Sequence, residues 1–553
     1  MAESPNVELP PHYYRDNFLA LCDAVQSQYD DVLSASEHEF LETYRGLGFD
    51  AQCLYVRLVS RVGPWFRESR LAYPELGPLP ECVDELLACG LAEVAGSLSL
   101  EELAGLFTRA ELATVAGPLL DTPLPRNKPG LLAAIAELAL EDEEYLQLAA
   151  TVDDGRIIAV TGGEEVQLLQ LLFFGNRRQG LTDFVLSDLG VARYYPYPLD
   201  RQYRLFPHRE AVQEYMAVAG LGDSWYELRE LGEPADLVEM ATQLAPLVVE
   251  HASSESGWHR LCNNIARDME RLGELELAAR LYRHSGRHPA RERHLRILER
   301  MEDWSAALQL AQAILEAPWC EEERDAARRV LPRIHRRLGD KPRPRSRDAF
   351  VRLDLVLPAA GERVETLAAR QLESQWAAVH YVENSLMNTL FGLAFWEQIF
   401  TPVPGAFHNP YQSVPADMYS RDFLQRRRAL LEARLAELRA TGAAAALRLA
   451  YRQYADFQCR WVDWRRVDRE LVEAAATVIP DEHLLAIWER MLFDPRENRR
   501  GFPDLVALGD APGDYCLVEV KGPGDALQES QKRWLRFFGA RDIPAAVAWV
   551  SWA

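Results

Sequence analysis

Apolar residues recur at helical spacing along most of the chain. Leu54 and Leu58 stand one turn apart, Arg57 and Arg61 repeat that spacing on a neighbouring face, and Gly63-Pro64 closes the segment. Residues 14–95 therefore read as helices followed by a short extended pair, with Trp65 to Tyr73 as a candidate hairpin wing. Two short helices are expected at Ser99 to Leu106 and Arg109 to Val115. A proline-rich loop holding Arg126 and Lys128 follows, and a third helix starts near Pro129, because proline suits the first helical position. From about 212 to 338 the pattern is strongly helical. Gly273 to Tyr282 and Asp303 to Ala311 place small residues (Ala278, Ala279, Ala306, Ala307) at packing positions. Lys341 to Arg347, K-P-R-P-R-S-R, is a linker by composition. After it the period changes. Val351 to Leu357 alternates like a strand, and helices are expected at about Glu383 to Phe400 and at 421–451. The end of the chain runs helix, strand, turn, strand, helix, strand.

These elements divide the chain into four parts. Residues 1–95 suggest a winged-helix-like DNA-binding domain with the Arg57 face toward DNA; a plain helical domain with a solvated arginine face fits equally well. Residues 96–150, short helices around a basic loop, resemble a SAP module, a small DNA-binding unit. Residues 151–345 resemble tetratricopeptide-like hairpins of irregular spacing, elements that join domains or dock partners. Residues 346–553 form an α/β module. The expected fold class is multidomain: mainly α in the N-terminal and helical-repeat parts, then a C-terminal α/β domain.

Composition narrows the picture. With 553 residues, 48% hydrophobic and 26% charged, the chain is globular and built from two to four domains. No apolar run is long enough to cross a bilayer, and Met1 to His12 lacks a secretory pattern, so no membrane partner is expected. The eight cysteines form no C-x-x-C pair, which points away from a zinc ribbon or a disulfide framework. A net charge of −23 argues against nucleic acid unless charge is segregated. It is: residues 490–553 hold nine basic and nine acidic residues, and residues 55–70 hold Arg57, Arg61, Arg67 and Arg70 against Glu68 alone. These arginines, with Arg126 and Lys128, are the candidate phosphate contacts.

The chemistry concentrates in G-F-P-D-L-V at 501–506 and L-V-E-V-K at 517–521, joined by the turn G-D-A-P-G-D. Apolar, β-rich flanks make this a hairpin. Glu519 and Lys521 are two apart and share a strand face, and Asp504 at the start of the first strand meets them across the ladder. Two carboxylates beside a lysine suit phosphodiester hydrolysis with Mg²⁺ or Mn²⁺, two ions being expected. The carbonyl of Val520 is a further candidate ligand, and Lys521 is placed to act on water or phosphate. The bare pattern P-D … E-x-K also fits a hairpin with an exposed salt bridge. The apolar framing argues against that, since buried charges are costly unless they bind something.

The run E-V-K-G-P-G-D-A-L-Q-E-S-Q-K-R-W resembles the signature of the VRR-Nuc branch of PD-(D/E)xK nucleases, with Glu519, Lys521, Gly522 and Pro523, then Gln531 and Trp534 on the next helix. The segments H-Y-V-E-N-S-L-M-N-T-L-F-G-L-A-F-W, G-A-F-H-N-P-Y-Q-S-V-P-A-D-M-Y at 405–419, G-P-W-F-R-x-S-R-L-x-Y-P at 63–74 and L-F-F-G-N at 172–176 are similar to the Fanconi-associated nuclease family. The resemblance spans about residue 14 to the end. It implies Glu383 as an additional metal ligand. It also implies 5′-flap endonuclease and 5′-to-3′ exonuclease activity on branched or flapped duplex DNA in interstrand crosslink repair. Nothing here could form the ubiquitin-binding zinc finger of eukaryotic relatives. That favours a bacterial, cytoplasmic and nucleoid-associated member; a eukaryotic one would be nuclear. The large helical part favours a monomer over the small dimers of junction resolvases, and leaves protein partners open.

Other candidates weigh less. Gly162-Gly163 reads as a turn, His284 and His288 are separated by helix-disrupting residues, and His380 reads as solvated or as standing behind the ligands. Tyr194, Tyr195 and Tyr197 with Arg193 and Arg201 form either a stacking platform for single strands or a proline-rich interdomain turn. A resolvase-like nuclease and a scaffold carrying a decayed nuclease module are the competing functions.

Overall fold

The computed structural model describes residues 10–61, 63–120, 123–181, 192–340, 348–358 and 361–553; the Lys341 to Arg347 linker lies outside them. Two compact units divide at residues 191 and 192. No helix among the described residues is long and apolar enough to cross a membrane.

The first unit begins with α1 (Tyr13–Tyr29), α2 (Ala35–Gly46) and α3 (Phe49–Val59). Ser34 starts α2 with a reciprocal capping box to Glu37, which satisfies backbone donors the helix cannot. The short strands β1 (Trp65–Arg67) and β2 (Ala92–Val94) flank β3 (Ile157–Val160) in one antiparallel sheet, with α4 (Leu79–Ala88) between them in sequence. The segment from Trp65 is thus not a hairpin wing. Its strand pairs with residues 157–160, and Glu68–Arg70 turn into a 3₁₀ helix. The sheet draws strands from both sides of the expected boundaries at 95/96 and 150/151. Between β2 and β3, α5 (Leu100–Leu106), α6 (Arg109–Ala116), α7 (Lys128–Ala136) and α8 (Asp142–Ala150) close over Leu103, Leu112, Leu131, Ile135 and Tyr145. Helix α9 (Gly163–Phe174) follows, and left-handed glycines stand at both its ends.

The second unit opens with β4 (Arg193–Tyr194). Helices α10 (Arg209–Leu231), α11 (Pro234–Leu244), α12 (Ala252–Leu272), α13 (Leu275–His284), α14 (Ala290–Arg300), α15 (Trp304–Glu316) and α16 (Glu321–Arg337) then form an array in which successive helices from α12 onward pack on each other. Three of the four small residues do what the spacing predicts: Ala278, Ala279 and Ala307 are buried between helices, while Ala306 is half-buried.

Beyond the linker come β5 (Val351–Leu357), α17 (Val364–Leu372), β6 (Ala378–Tyr381), α18 (Ser385–Ala394) and α19 (Trp396–Ile399). The helix expected from Glu383 to Phe400 is two helices broken at Phe395, and Glu383 lies before the first turn. The helix expected over 421–451 is likewise two, α20 (Arg421–Thr441) and α21 (Ala443–Tyr454), because Gly442 adopts φ 83°. The chain then runs β7 (Phe457–Gln458), α22 (Arg469–Val478), α23 (Asp481–Phe493), β8 (Leu505–Leu508), β9 (Tyr515–Lys521), α24 (Glu529–Ala540) and β10 (Ala545–Trp552).

Five strands form one sheet in the order β5-β10-β9-β8-β6, parallel from β5 through β9 and antiparallel at β8 and β6. Both faces are covered, which is why β8 reads as a continuous apolar run. Leu505, Val518, Val520 and Ala548 face α17, and Val506, Leu508, Tyr515 and Leu517 join the large core with Phe391, Trp488, Trp534 and Phe538. The tyrosines of 194–197 belong to this architecture. Tyr195 packs among Trp396, Phe400, Tyr454 and Phe457, Tyr197 stacks on Phe407 at 4.0 Å, and β4 pairs with β7. The rings of Tyr195 and Tyr197 are half-buried and packed against protein, which favours the proline-rich turn over the single-strand platform.

Candidate active site

Strand alternation builds the centre. On β9 the odd positions Tyr515 and Leu517 face the large core, so Glu519 and Lys521 face the same way. Register pairs Leu505 with Val518, which brings Asp504, one residue earlier, opposite Glu519. Gly501, at φ 83°, admits the approach of α24, since a Cβ there would meet the Ser530 backbone at 2.7 Å.

Backbone contacts tie the three acids together. The Asp504 carbonyl accepts the N–H groups of both Val382 and Glu383 at 2.9 Å, and its carboxylate Oδ2 accepts Val520 N–H at 2.9 Å. Glu383 sits at φ 35°, a strained conformation for a side chain of its size, held by that carbonyl. Its carboxylate accepts Tyr381 O–H at 2.9 Å, and Asn384 links the same turn to Phe502 N–H at 3.2 Å. Tyr381 and Asn384 escaped the sequence reading because their roles depend on this turn; their place beside Glu383 was the available signal. Glu365, in the first turn of α17, was missed too, and adds negative charge to the field around Asp504.

Glu519 is 1% exposed. Its Oε1 accepts Lys521 Nζ at 2.8 Å and Gln531 Nε2 at 2.5 Å, while its Oε2 is buried with no hydrogen-bond partner. Burial, then the Asp504 charge, push its carboxyl up to about 8, with Lys521 partly opposing. Burial also raises Asp504 against the Val520 N–H and Lys521, and Glu365 and Glu383 add to the rise. A buried carboxyl oxygen that meets no donor and faces only the second carboxyl, that of Asp504, is costly to ionise. Acid groups that resist ionisation until positive charge arrives, all oxygen donors, fit a hard divalent cation. The residues able to hold it are Glu383, Asp504, Glu519 and the Val520 carbonyl.

A second group, His288, Cys320 and Glu322, brings ligand atoms within 4.8 Å in the helical array. His288 pairs there with Glu322 at 3.1 Å, not with His284. Burial opposes its charge, but Cys320 and Glu322 outweigh it and push the imidazole up to about 10, so the group is an ion pair of an imidazolium. His380 lies on β6 opposite Val506.

The basic candidates of the first unit divide. Arg67 is buried and pairs with Asp153 at 2.5 Å and Glu111 at 2.9 Å. Lys128 Nζ donates to the carbonyls of Ala104 and Phe107, closing the end of α5. The Arg67 charge is consumed inside the fold, which corrects the expectation of phosphate contact for that residue, whereas half-buried Lys128 keeps its charge. Arg57 lies over Tyr14 at 4.0 Å and pairs with Glu75, and Arg70 pairs with Glu111. Arg61, Arg70 and Arg126 are exposed; Arg61 and Arg57 line a cavity of about 380 Å³ with Tyr14 and Tyr73.

Residues 440–552 match the family described as VRR-NUC domain, and residues 12–93 match the family described as FAN1, HTH domain. The Fanconi-associated nuclease 1 homolog of Pseudomonas aeruginosa is 38% identical over 552 residues, covering 98% of this chain and 96% of its own. The chain belongs to the Fanconi-associated nuclease family. The human Fanconi-associated nuclease 1 is 24% identical and is covered over 61% of its length. A crystal structure described as paFAN1 bound to 2nt 5′flap DNA with gap superposes with TM-score 0.82 at 36% identity, covering 99% of both chains. A second, with a 1nt 5′flap, gives 0.77 at 35% identity. As a Fanconi-associated nuclease, the chain is a metal-dependent phosphodiesterase. The VRR-NUC match contains Asp504, Glu519, Val520, Lys521 and Gln531, and Glu383 reaches that centre from outside it.

Proposed function

We propose that this nuclease cuts 5′-flapped and branched duplex DNA, as an endonuclease at the flap and a 5′-to-3′ exonuclease, in the repair of interstrand crosslinks. The observation that carries the reading is the buried, partnerless Oε2 of Glu519 beside Asp504 and Lys521. Likeness to a chain crystallised with 5′-flap DNA supports the substrate.

Glu383, Asp504, Glu519 and the Val520 carbonyl would hold Mg²⁺ or Mn²⁺, two ions in our reading. The chemistry such ions supply when bound is positive charge against the scissile phosphate and acidification of water. The chain's own residues do the rest. Lys521, held by Glu519, donates toward the phosphate or the attacking water and stabilises charge that grows in the transition state. Gln531 fixes the Glu519 carboxylate so that Oε2 stays free for the ion. Asp504 is oriented by the Val520 N–H, and the strained Glu383 by Tyr381. On the DNA side, Arg61, Arg70 and Arg126 are the exposed candidates of the first unit. We propose a monomer working in a bacterial cytoplasm on chromosomal DNA, a placement supported by the extent of likeness to the Pseudomonas relative.

The test is cleavage of end-labelled 5′-flap, Holliday-junction and unbranched duplex substrates with Mg²⁺ or Mn²⁺ and with EDTA. Metal-dependent cutting that favours the flap is expected. Preference for the junction would replace the reading with a resolvase, and no cutting of any substrate would leave a scaffold.

A further inference from the structure

The helical array carries a groove that the nuclease reaction does not use. Its volume is about 770 Å³, and eight of its thirteen lining residues are arginines. Helical spacing explains the concentration. Arg267 and Arg271 on α12, Arg293, Arg296 and Arg300 on α14, and Arg329, Arg333 and Arg337 on α16 repeat at three- and four-residue intervals, so each helix turns one basic face to the same space. The opposite faces carry Leu295, Ile297, Ala327 and Ile334 into the core. In a chain of net charge −23 this is strong segregation.

Part of the charge is spent on the fold. Buried Glu270 takes Arg293 Nε at 2.8 Å and Arg267 at 3.1 Å, and Glu299 takes Arg333 at 3.0 Å. Arg271 pairs with Asp268 and Arg296 with Glu292. Eight guanidiniums thus face four carboxylates, and a surplus remains. Arg329 is exposed, and Arg337 lies over the Trp304 ring at 5.5 Å. Trp304, Ala326 and Val330 add an apolar floor.

We infer that this groove docks an acidic peptide segment of a partner protein, its carboxylates on the exposed arginines and one apolar side chain on the Trp304 floor. The volume favours a peptide over a duplex: it is that of a pocket for a small ligand or a short extended segment, not of a surface that cradles a double helix. Arginine forks match planar carboxylates in a bidentate manner, at a site built from stacked helices, whose inner faces take extended segments.

The experiment uses the full chain and a fluorescein-labelled oligo-aspartate peptide with one central phenylalanine. Its asparagine counterpart, a single-stranded oligonucleotide and a short duplex serve as competitors, all read by anisotropy. Saturable binding of the aspartate peptide is expected, weakening as salt rises and absent for the asparagine peptide. R329E/R337E should lose about tenfold or more in affinity, R329Q/R337Q less, and both should cut 5′-flap DNA at the wild-type rate. Thermal melting of both variants establishes that they are folded. The proposal is overturned if the wild-type chain does not bind the aspartate peptide saturably, or if binding ignores both charge changes. It is equally overturned if an oligonucleotide displaces the peptide and itself depends on Arg329 and Arg337, because the groove is then a nucleic-acid track.

Discussion

Metal affinity should depend on pH through Glu519. In the metal-free protein, burial and the Asp504 carboxylate push this acid from 4.5 to about 8, with Lys521 opposing. That displacement corresponds to about 5 kcal/mol against the ionised form. An incoming cation needs the carboxylate, so below about pH 8 it must displace a proton. Affinity should therefore fall about tenfold for each pH unit below 8 and level off above it. The stability sign follows from the same shift. The folded value lies above the unfolded one, so this group favours the metal-free fold most below about pH 4.5, and that contribution is lost as pH rises through about 8. The gap in melting temperature between Mn²⁺ and EDTA should accordingly widen with pH. Calorimetric Mn²⁺ titrations without DNA, in buffers of different ionisation heat, count the released protons. About one proton is expected near pH 6.5, tending to zero above pH 8, and Glu519→Gln should abolish the release. Affinity that is flat from about pH 6 to 8 with no proton released would refute the reasoning.

Lys521→Ala should keep metal affinity at or above wild type, because a competing charge is gone, while single-turnover cleavage falls about a hundredfold or more; a folded, metal-binding variant that cuts normally would remove Lys521 from the chemistry. Gln531→Ala should weaken metal binding about tenfold without unfolding the chain, since Glu519 loses the donor that orients it, and calorimetry reads this directly. Arg67→Ala should cost about 3–5 kcal/mol in denaturant melts, because Asp153 and Glu111 lose their buried partner. Arg61→Ala should leave the melt unchanged and reduce the salt slope of DNA binding by about one; an unchanged slope would make Arg61 a solvated side chain.

The hairpin was legible because its chemistry is local. Gly501, Pro503 and the G-D-A-P-G-D turn punctuate two apolar runs, and period two alone aligns Glu519 with Lys521. Glu383 is different: it lies 121 positions before Asp504, and only the family resemblance connected them before the structure showed the shared carbonyl. The wing failed for a related reason. The partner of Trp65–Arg67 is Ile157–Val160, and a four-residue apolar run does not announce a central strand. Arg67 looked like a surface charge because nothing in its neighbourhood reveals Asp153 or Glu111. The basic groove was equally hidden, for its arginines lie on three helices and their common direction emerges only when those helices stack.

The central claim is that Asp504 and Glu519 serve metal-dependent cleavage and not the grip on DNA. It is tested most directly by measuring 5′-flap binding and single-turnover cutting together, for the wild-type chain and for Asp504→Asn and Glu519→Gln in Mg²⁺ or Mn²⁺. The account predicts flap affinity within about threefold of wild type and cleavage lost by about a thousandfold in both variants, with the wild type equally inert in EDTA. Cleavage at the wild-type rate by either folded variant, or by the wild type without metal, would contradict it.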